Sequence, residues 1–495
     1  MKRSTFCALI LTMLAASGVG QATDFSRNVR VDDGFPSPDH ILSAMTTDAL
    51  GNIHVVFADN RSTGNSWSRV YTARSTDQGL TWSNPNTLVS DTAGWEYDYS
   101  EIAAGSNGIV YATFFHRAPG VPDGKFFTRS TDGGLTWEHP GRRLDDSTAS
   151  VYIGPSQIVP LGGDSVLVAW NSGDYHVLIV RSLDAGLHWT APARLDLVHT
   201  NEFWLGRIVR DESGELYAAT QGTVDQVTTI YVFSSSDCGA GWSAQPVAVS
   251  SVDGTSPDIV THGDNLYVAY AFFHDWFQCE VYFAASSDRG QTWSTPNIRI
   301  NDVPNHGWIP RLALDQDGVL HVVFGDDRTG QYDVYYSHSE DNGATWSPNE
   351  IVNDDSIRAQ QADPVIWGGT SDQIYMTWGD DRSGNDNCGV YFSRVLQPNV
   401  TNHSAPEASS IALLSAYPNP FNSATTLVYT VAQPSRVVVQ LSDILGRRVA
   451  VLVNSSQTAG AHQLRFDAGA LPSGTYVVRL TAGHSTSSHK IALIR

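Results

Sequence analysis

The feature that most constrains the fold of this chain is a short turn motif that occurs six times. Each copy has Ser at its first position, Asp at its third, Gly at its fifth and Trp at its eighth, and the first copy spans residues 75–82. The six aspartates are separated by 55, 52, 53, 51 and 53 residues, and they are Asp77, Asp132, Asp184, Asp237, Asp288 and Asp341. An even period of this size in strand-rich units predicts an all-β fold, a β-propeller.

Seven apolar segments recur with the same period and predict the second strand of each blade. They span residues 53–57, 110–114, 166–170, 216–220, 266–270, 320–324 and 374–378. The last unit lacks a fourth strand of its own, whereas residues 28–33 resemble the fourth-strand segment 297–302. We therefore predict seven blades, with residues 27–33 completing the seventh beside residues 389–396, so that no sheet edge stays open.

The repeated turn resembles the Asp-box of the sialidase and neuraminidase superfamily and its BNR-repeat relatives. The resemblance implies a propeller, and because sialidase catalytic domains have six blades, six is the alternative count. In such a turn we expect Asp to bind backbone N–H groups, Gly to supply a positive φ, and Trp to pack beside the next blade. All of these are structural roles, so we interpret the six boxes as part of the fold rather than as ligand sites.

Residues 1–22 have the features of a secretory signal peptide. Lys2 and Arg3 precede an apolar run over residues 6–16, and the small residues Gly20 and Ala22 predict cleavage after Ala22. No other segment approaches the length of a membrane span. The net charge of −21 argues against nucleic acid and anionic membranes as partners. These features predict an extracytoplasmic protein, and we expect it to be a monomer.

Beyond the propeller at residues 23–396 and a polar linker at 397–410, residues 411–495 form a second, smaller β domain. Its landmarks include Tyr-Pro-Asn-Pro-Phe-Asn at residues 417–422 and Ser-Gly-Thr-Tyr at residues 473–476. This segment closely resembles the type A C-terminal sorting domain of the type IX secretion system. The resemblance implies a small immunoglobulin-like β-sandwich that the secretion machinery recognises, and a protein that is secreted or held on the outer-membrane surface. The alternative is an immunoglobulin-like carbohydrate or spacer module.

Aligning the repeats on their second strands places one residue of each innermost strand at the same level of the central channel. These residues are Ala44, Glu101, Gln157, Arg207, Asp258, Arg311 and Asp363. Nearby loops add Trp95, Trp204 and Trp308. Mixed charges beside aromatic rings suit a sugar, because the rings stack on its C–H faces while the carboxylates bind its hydroxyls. The alternative is that these polar residues only solvate a wet channel.

Three second strands are followed by a further motif, Asp-Asn-Arg at residues 59–61 and Asp-Asp-Arg at 326–328 and 380–382. It could bind an anion or calcium, but its repetition favours a structural role in which Arg pairs with neighbouring carboxylates. The three cysteines beyond the leader, Cys238, Cys279 and Cys388, are odd in number and wrongly spaced for zinc. We expect no metal and no cofactor.

Three functions remain open: a secreted propeller that binds a glycan or a protein at the channel mouth, an exo-sialidase-like glycoside hydrolase that acts on acidic sugars, and a cell-surface module whose ligand is a protein. A hydrolase would use Glu101, Asp258 or Asp363 as acid or base. The resemblance to sialidases implies an arginine triad around a substrate carboxylate, but only Arg207 and Arg311 occupy the inner level here. No sialidase catalytic residue is therefore assigned, and binding without catalysis is favoured.

Overall fold

The computed structural model describes residues 23–494 except 35–42, 61–67, 91–95, 119–120, 146–150, 196–202, 225–226, 244–246, 251–252, 276–277, 305, 356–358, 369–372, 383–387, 397–410, 418, 432–434, 444–447, 459, 470 and 483–484. Every regular element in this part of the chain is a β-strand, which confirms the all-β prediction. The chain divides into two compact units, Met1–Pro398 and Asn399–Arg495. The predicted signal peptide and linker lie outside the described residues.

The first unit begins with two short strands, β1 (Asp24–Phe25) and β2 (Val29–Arg30). Seven sheets follow in chain order. The first is β3–β6 (Ser43–Thr47, Ile53–Asp59, Arg69–Ser75, Thr87–Leu88), and the second is β7–β10 (Glu96–Ala104, Val110–Ala118, Val121–Ser130, Arg142–Arg143). The third is β11–β14 (Val151–Gly162, Ser165–Ser172, Val177–Ser182, Ala193–Arg194), and the fourth is β15–β18 (Phe203–Arg210, Leu216–Val224, Val227–Ser235, Val247–Ala248).

The fifth sheet is β19–β22 (Thr255–His262, Asn265–Asp275, Gln278–Ser286, Ile298–Arg299), and the sixth is β23–β26 (Gly307–Leu314, Leu320–Asp326, Asp333–Ser339, Glu350–Ile351). The seventh contains β27–β29 (Gln361–Gly368, Ile374–Asp380, Gly389–Leu396), and β1 and β2 complete it by pairing with β29. All strand pairs in these sheets are antiparallel, and each sheet except the seventh follows the order of the chain.

The second strand of each sheet is apolar on both faces because a neighbouring sheet covers each side. In β4, Ile53, Val55, Val56 and Phe57 are all fully buried. The hydrophobic clusters lie between consecutive sheets; one joins Phe57 of the first sheet to Phe392 of the seventh. The first strands also touch in sequence, β3 with β7 and so on to β27, and β27 again contacts β3. The seven sheets therefore follow one another in a closed order.

The N-terminal segment joins the seventh sheet, as the sequence predicts. Val29 pairs with Phe392 and Arg30 with Tyr391. In addition, Asp24 pairs with Leu396, a contact that the sequence did not reveal. Strands from the start of the unit thus cover the outer edge of its last strand.

The second unit contains β30–β36, which are Ile411–Tyr417, Ala424–Val431, Ser435–Asp443, Arg448–Gln457, Gly460–Asp467, Gly474–Ala482 and Ser485–Leu493. Strands β30, β31 and β34 form one sheet, and β33, β32, β35 and β36 form another. Leu427 and Tyr429 from the first sheet share one buried cluster with Val439 and Leu480 from the second. The two sheets therefore pack against each other around a core of their own.

Candidate functional site

The innermost strand of each of the seven sheets places one residue at a common level. This residue pairs with the fourth residue of the apolar second-strand segment that the sequence identifies. These residues, which we call the axial ring, are Ala44, Glu101, Gln157, Arg207, Asp258, Arg311 and Val365. Six of them are those identified by aligning the sequence repeats. In the seventh sheet the alignment was wrong, because Val365 and not Asp363 holds this position.

The error has a physical cause, a β-bulge just before the axial ring. In β27 two residues lie between Ala362 and Val365, whereas one residue lies between their partners Gly379 and Thr377. The sequence carried a usable signal: Glu101 and Arg311 each lie nine residues before the second strand begins, and so does Val365, but Asp363 lies eleven before it. The ring is therefore polar over five consecutive sheets, from Glu101 to Arg311, and apolar in the remaining two.

Bulges of this kind interrupt the first strand in six of the seven sheets. In four of them the residue two before the ring residue has a positive φ: Tyr99 (48°), Ser256 (50°), Ile309 (37°) and Asp363 (49°). Such a conformation is unfavourable for any residue with a side chain, and most of all for β-branched Ile309. Strained backbone that recurs at one level supports the hypothesis of a functional site there.

The ring and the strained residues line one cavity of about 340 Å³, the axial cavity. Its wall includes Glu101, Gln157, Arg207, Asp258, Arg311 and Asp363, so the structure brings all six polar candidates together. A second cavity of about 390 Å³ continues along the innermost strands and shares Glu101, Gln157 and Arg207 with the first. These three side chains lie at the boundary between the two cavities.

Arg207 is held by neighbouring groups rather than presented to a ligand. Its Nη1 lies 3.2 Å from Oδ2 of Asp258 and donates to the carbonyl oxygen of Leu312 at 3.2 Å. Asp258 is buried, and its Oδ2 also accepts the Leu312 N–H at 2.7 Å. The guanidinium lies 5.9 Å from the ring centroid of Trp367. This pair therefore ties the fourth, fifth and sixth sheets together.

Arg311 differs from Arg207 in its contacts. Its Nη1 donates to the carbonyl oxygen of Pro310 at 3.1 Å, and it forms no ion pair within the described residues. A guanidinium has five N–H donors, so most of its capacity remains available. Of the two axial arginines, Arg311 is the one that can bind a ligand.

Glu101 faces both arginines from the second sheet. Loss of contact with water is the largest influence on its carboxyl group and raises its pKa to about 7, although the charges of Arg207 and Arg311 act in the opposite direction. Near neutral pH this side chain therefore exists in both protonation states. It can accept a hydrogen bond as a carboxylate or donate one as the acid.

A larger cavity of about 580 Å³ lies beside the axial one, between the sixth and seventh sheets. Trp308, Tyr332, Gln360 and Gln361 line it, and it shares Asp363 with the axial cavity. The indole of Trp308 stands edge-on to Tyr332 at 5.8 Å. Aromatic faces next to amides and a carboxylate are the groups that bind a pyranose ring.

The three aromatic candidates have different positions. Trp308 lines the larger cavity, whereas Trp204 packs against Tyr175 with ring centroids 5.1 Å apart. Trp95 lies outside the described residues. The sequence interpretation missed the bulge residues Tyr99, Ser256 and Ile309, as well as Trp367 and Tyr332, because nothing in the repeat pattern marks them.

The six Asp-box turns lie at the other end of the sheets, after the third strands. In every copy the Ser hydroxyl oxygen accepts the Gly N–H, at 2.8–3.0 Å. The Asp carboxylate in turn accepts the backbone N–H four residues later. The box Trp packs on the preceding sheet rather than the next, as Trp189 does on Phe127 at 4.9 Å. Trp137, with 7% of its surface exposed, is the most buried of the six.

The Asp-Asp-Arg motifs make structural contacts at the two places that can be described. Arg328 donates two hydrogen bonds to Asp326 and stacks 4.3 Å from the ring centroid of Tyr335. Arg382 pairs with Asp380 and stacks on Tyr391 in the same way. Arg61 of the third copy lies outside the described residues. In the described copies the motif orders the turn after the second strand.

Two further observations concern ions and membranes. In the part of the chain that can be described, no group of three or more His, Cys, Asp or Glu side chains could hold a metal ion. No helix there has the length and hydropathy needed to cross a membrane.

Comparison with known proteins gives a family for each unit. Residues 415–494 match the family described as the secretion system C-terminal sorting domain. Residues 40–204 and 164–309 match the BNR repeat-like domain, and together these matches span more than half of the 495 residues. No curated protein matches the chain.

Solved structures share similarity with the first unit at low sequence identity. A protein of unknown function from Dyadobacter fermentans is 14% identical, with a TM-score of 0.48 over 76% of this chain and 99% of that one. An α-L-arabinanase from Penicillium chrysogenum is 12% identical, with a TM-score of 0.46 over 75% and 100% of the two chains. A Hadza microbial sialidase is 15% identical, with a TM-score of 0.45 over 66% and 73%.

Similarity this low transfers neither activity nor substrate to the chain. The BNR repeat-like match spans residues 40–309, which include five of the six Asp boxes, and it agrees with the sequence resemblance to the Asp-box proteins. The chain belongs to the BNR repeat-like family, and its BNR repeat-like unit is followed by a type IX C-terminal sorting domain.

Proposed function

We propose that this protein is exported and binds a glycan in the axial cavity of a seven-bladed β-propeller. The closed order of seven sheets, with β1 and β2 on the edge of β29, supports the blade number. The two packed sheets of the second unit support an immunoglobulin-like sandwich at residues 411–495, which the secretion machinery would recognise. The sorting-domain match and the N-terminal leader pattern support a secreted or outer-membrane location.

One observation carries the binding proposal: five consecutive sheets direct polar side chains into a single cavity whose backbone is strained at the same level. Cavities of a few hundred Å³ with convergent polar groups are the usual ligand sites of proteins. Gln157 and Arg311 supply donors, while Glu101 and Asp363 supply acceptors. The aromatic side chains of Trp308 and Tyr332 lie in the adjoining cavity, where a second sugar of a chain would fit.

The charges favour a neutral glycan over an acidic one. Arg207 pairs with Asp258, and the formal positive charge of Arg311 is matched by the negative charge of Asp363, which lines the same cavity. With Glu101 protonated, the formal charges of these groups cancel, and with Glu101 ionised the site is negative. No excess positive charge remains to attract a carboxylate, so we expect sugar hydroxyls to be the groups that bind.

A glycan array with paired neutral and sialylated or uronic-acid glycans tests this proposal. We expect a neutral oligosaccharide as the best ligand, and Arg311→Ala should weaken its binding by about 1–3 kcal/mol through lost hydrogen bonds. Arg289→Ala is the matched control, because this arginine lies in the Asp-box turn of the fifth sheet and should leave binding unchanged. Binding only to acidic glycans, or equal loss in both variants, would contradict the proposal.

Glycoside hydrolysis is the second candidate, and the raised pKa of Glu101 is the observation that favours it. A carboxyl group with a pKa of about 7 can act as a general acid at neutral pH. The same glycans offered as fluorogenic glycosides separate the two functions. Binding without release of the fluorophore supports the binding protein, whereas turnover that is abolished by Glu101→Gln would establish a hydrolase.

A further inference from the structure

The backbone nitrogen of Thr23 faces a carboxylate on a different sheet. It lies 2.8 Å from Oε2 and 3.1 Å from Oε1 of Glu350. Glu350 belongs to β26, the outer strand of the sixth sheet, where it pairs with Tyr336. It forms no ion pair with a Lys or Arg side chain of the described part of the chain, so Thr23 is its main polar partner.

This geometry suits an ammonium group better than a peptide amide. An amide nitrogen has a single N–H and can point it well at only one oxygen, whereas an ammonium has three N–H groups and a full charge. Both oxygens of Glu350 are within hydrogen-bond distance of the same nitrogen. A half-buried carboxylate gains more from a charged donor, since charge-assisted hydrogen bonds are roughly twice as strong as neutral ones.

We propose that cleavage between Ala22 and Thr23 creates this ammonium group, and that its ion pair with Glu350 secures the closing strands of the first unit. Gly20 and Ala22 are the small residues that a signal peptidase requires before the cut. Hydrolysis breaks the amide bond between the Ala22 carbonyl carbon and the Thr23 nitrogen. Water supplies the hydroxyl of the new Ala22 carboxyl group and a proton to the amine, which takes up a further proton near neutral pH.

The residues that follow Thr23 explain why the position of this amine matters. Phe25 packs edge-on against Tyr336 at 5.4 Å, and the N–H of Ser26 donates to the carbonyl oxygen of Arg394 at 2.9 Å. Asn28 and Asp354 exchange two hydrogen bonds through backbone and side chain. The segment thus bridges the sixth and seventh sheets, and the Thr23 ammonium would fix its free end.

Removal of the leader would therefore stabilise closure of the sheet ring, because the charged partner of Glu350 exists only in the processed chain. His338 is the nearby titratable side chain that Glu350 influences, and Tyr336 is the other.

Two measurements test the proposal. Terminal sequencing of the protein recovered from the culture medium of its host should give Thr23 as the first residue. Purified Thr23–Arg495 should then be compared with the same chain extended by Ala22, each with Glu350 or with Glu350→Gln. We expect the extension to lower the melting temperature by about 1–3 °C and to increase hydrogen exchange at the Ser26 amide by several fold.

The four chains, with or without Ala22 and with Glu350 or Glu350→Gln, form a double-mutant cycle. The proposal requires the extension to act only when Glu350 is present. In the Glu350→Gln background the extension should have no effect on either readout, because the neutral amide cannot pair with the ammonium. Glu340→Gln, which removes an exposed carboxylate of the same sheet, is the matched control and should preserve the effect of the extension. A different first residue, or an extension that changes nothing, would overturn the proposal.

Discussion

The Asp-box turns and the axial ring are both repeated features, but the repetition differs in kind. In the boxes the same atoms bond in all six copies: the Gly N–H donates to the Ser hydroxyl oxygen, and the N–H four residues after the Asp donates to its carboxylate. In the ring, equivalent positions hold seven side chains of six residue types. A residue whose side chain forms the hydrogen bonds of its own turn is the same in every copy, whereas the residue type can vary at a position that faces a shared cavity.

Both regions contain residues with an unfavourable positive φ. They differ in the hydrogen bonds that offset its cost. In each box the residue before the Gly also has a positive φ, from 57° at Ala185 to 74° at Gly133. Hydrogen bonds within the turn offset this cost. At the ring, Ile309 has a φ of 37° and belongs to a bulge whose ladder is interrupted. Strain without local compensation is the stronger indication of a binding role.

The largest effect should follow from adding one methyl group to a box glycine. A Cβ at Gly343 would lie 2.0 Å from the ring of Phe283, at a φ of 85°. Gly343→Ala should therefore lower the free energy of unfolding by about 3–5 kcal/mol, from overpacking and backbone strain together. All 14 tryptophans precede residue 411, so tryptophan fluorescence during urea unfolding reports on the first unit alone.

Gly330 supplies the matched control for that substitution. Its φ of 87° is nearly the same, but a Cβ there would meet no atom within 4 Å. Gly330→Ala should cost only the backbone term, about 1–2 kcal/mol. Equal costs at the two glycines would show that the box does not pack against the preceding sheet as described.

The fold was more predictable than the site, for reasons visible in particular residues. The period of Asp77 and its equivalents marks each sheet, and the likeness of residues 28–33 to a fourth strand predicted that Val29 and Arg30 join β29. The bulge that moves Asp363 away from the ring is not marked in the sequence by any characteristic residue. The pairing of Arg207 with Asp258 joins positions 51 residues apart and depends on side-chain contacts that a repeat pattern does not encode.

In the axial ring, we predict that the contribution of Glu101 to stability falls as the pH rises. The folded-state pKa of Glu101 is about 7, above its ordinary value of 4.5, so the folded protein keeps a proton that the unfolded chain loses. Its contribution is therefore fully present below about pH 4.5 and is lost as the pH rises to about 7. Glu101→Gln should be more stable than the wild type by about 1–3 kcal/mol at pH 8 and equal to it at pH 4.

Urea unfolding at pH 4, 6 and 8 measures this difference, with Glu340→Gln as an exposed carboxyl control that should show no such trend. A constant difference between Glu101→Gln and the wild type across this range would mean that the carboxyl group is not held protonated. The ring would then be an ordinary solvated channel, and the comparison with the boxes would lose its electrostatic basis.

The smallest effect is expected in a box, and its pH dependence has the opposite sign. Partial burial acts to raise the pKa of Asp132, but hydrogen bonds from the hydroxyl and N–H of Thr136 outweigh it and lower that pKa to about 2. Stability from this carboxylate is present above about pH 3.8 and is lost as the pH falls towards 2. Because the side chain is exposed, Asp132→Asn should cost only about 0.5–1.5 kcal/mol at pH 7, and less at pH 3.

Asp317→Asn is the control, since this exposed aspartate accepts no side-chain hydrogen bond within the described residues. If the cost of Asp132→Asn grew rather than shrank on acidification, the boxes would not owe their stability to ionised aspartates. Opposite pH trends in Asp132→Asn and Glu101→Gln would instead separate the scaffold from the site within one protein.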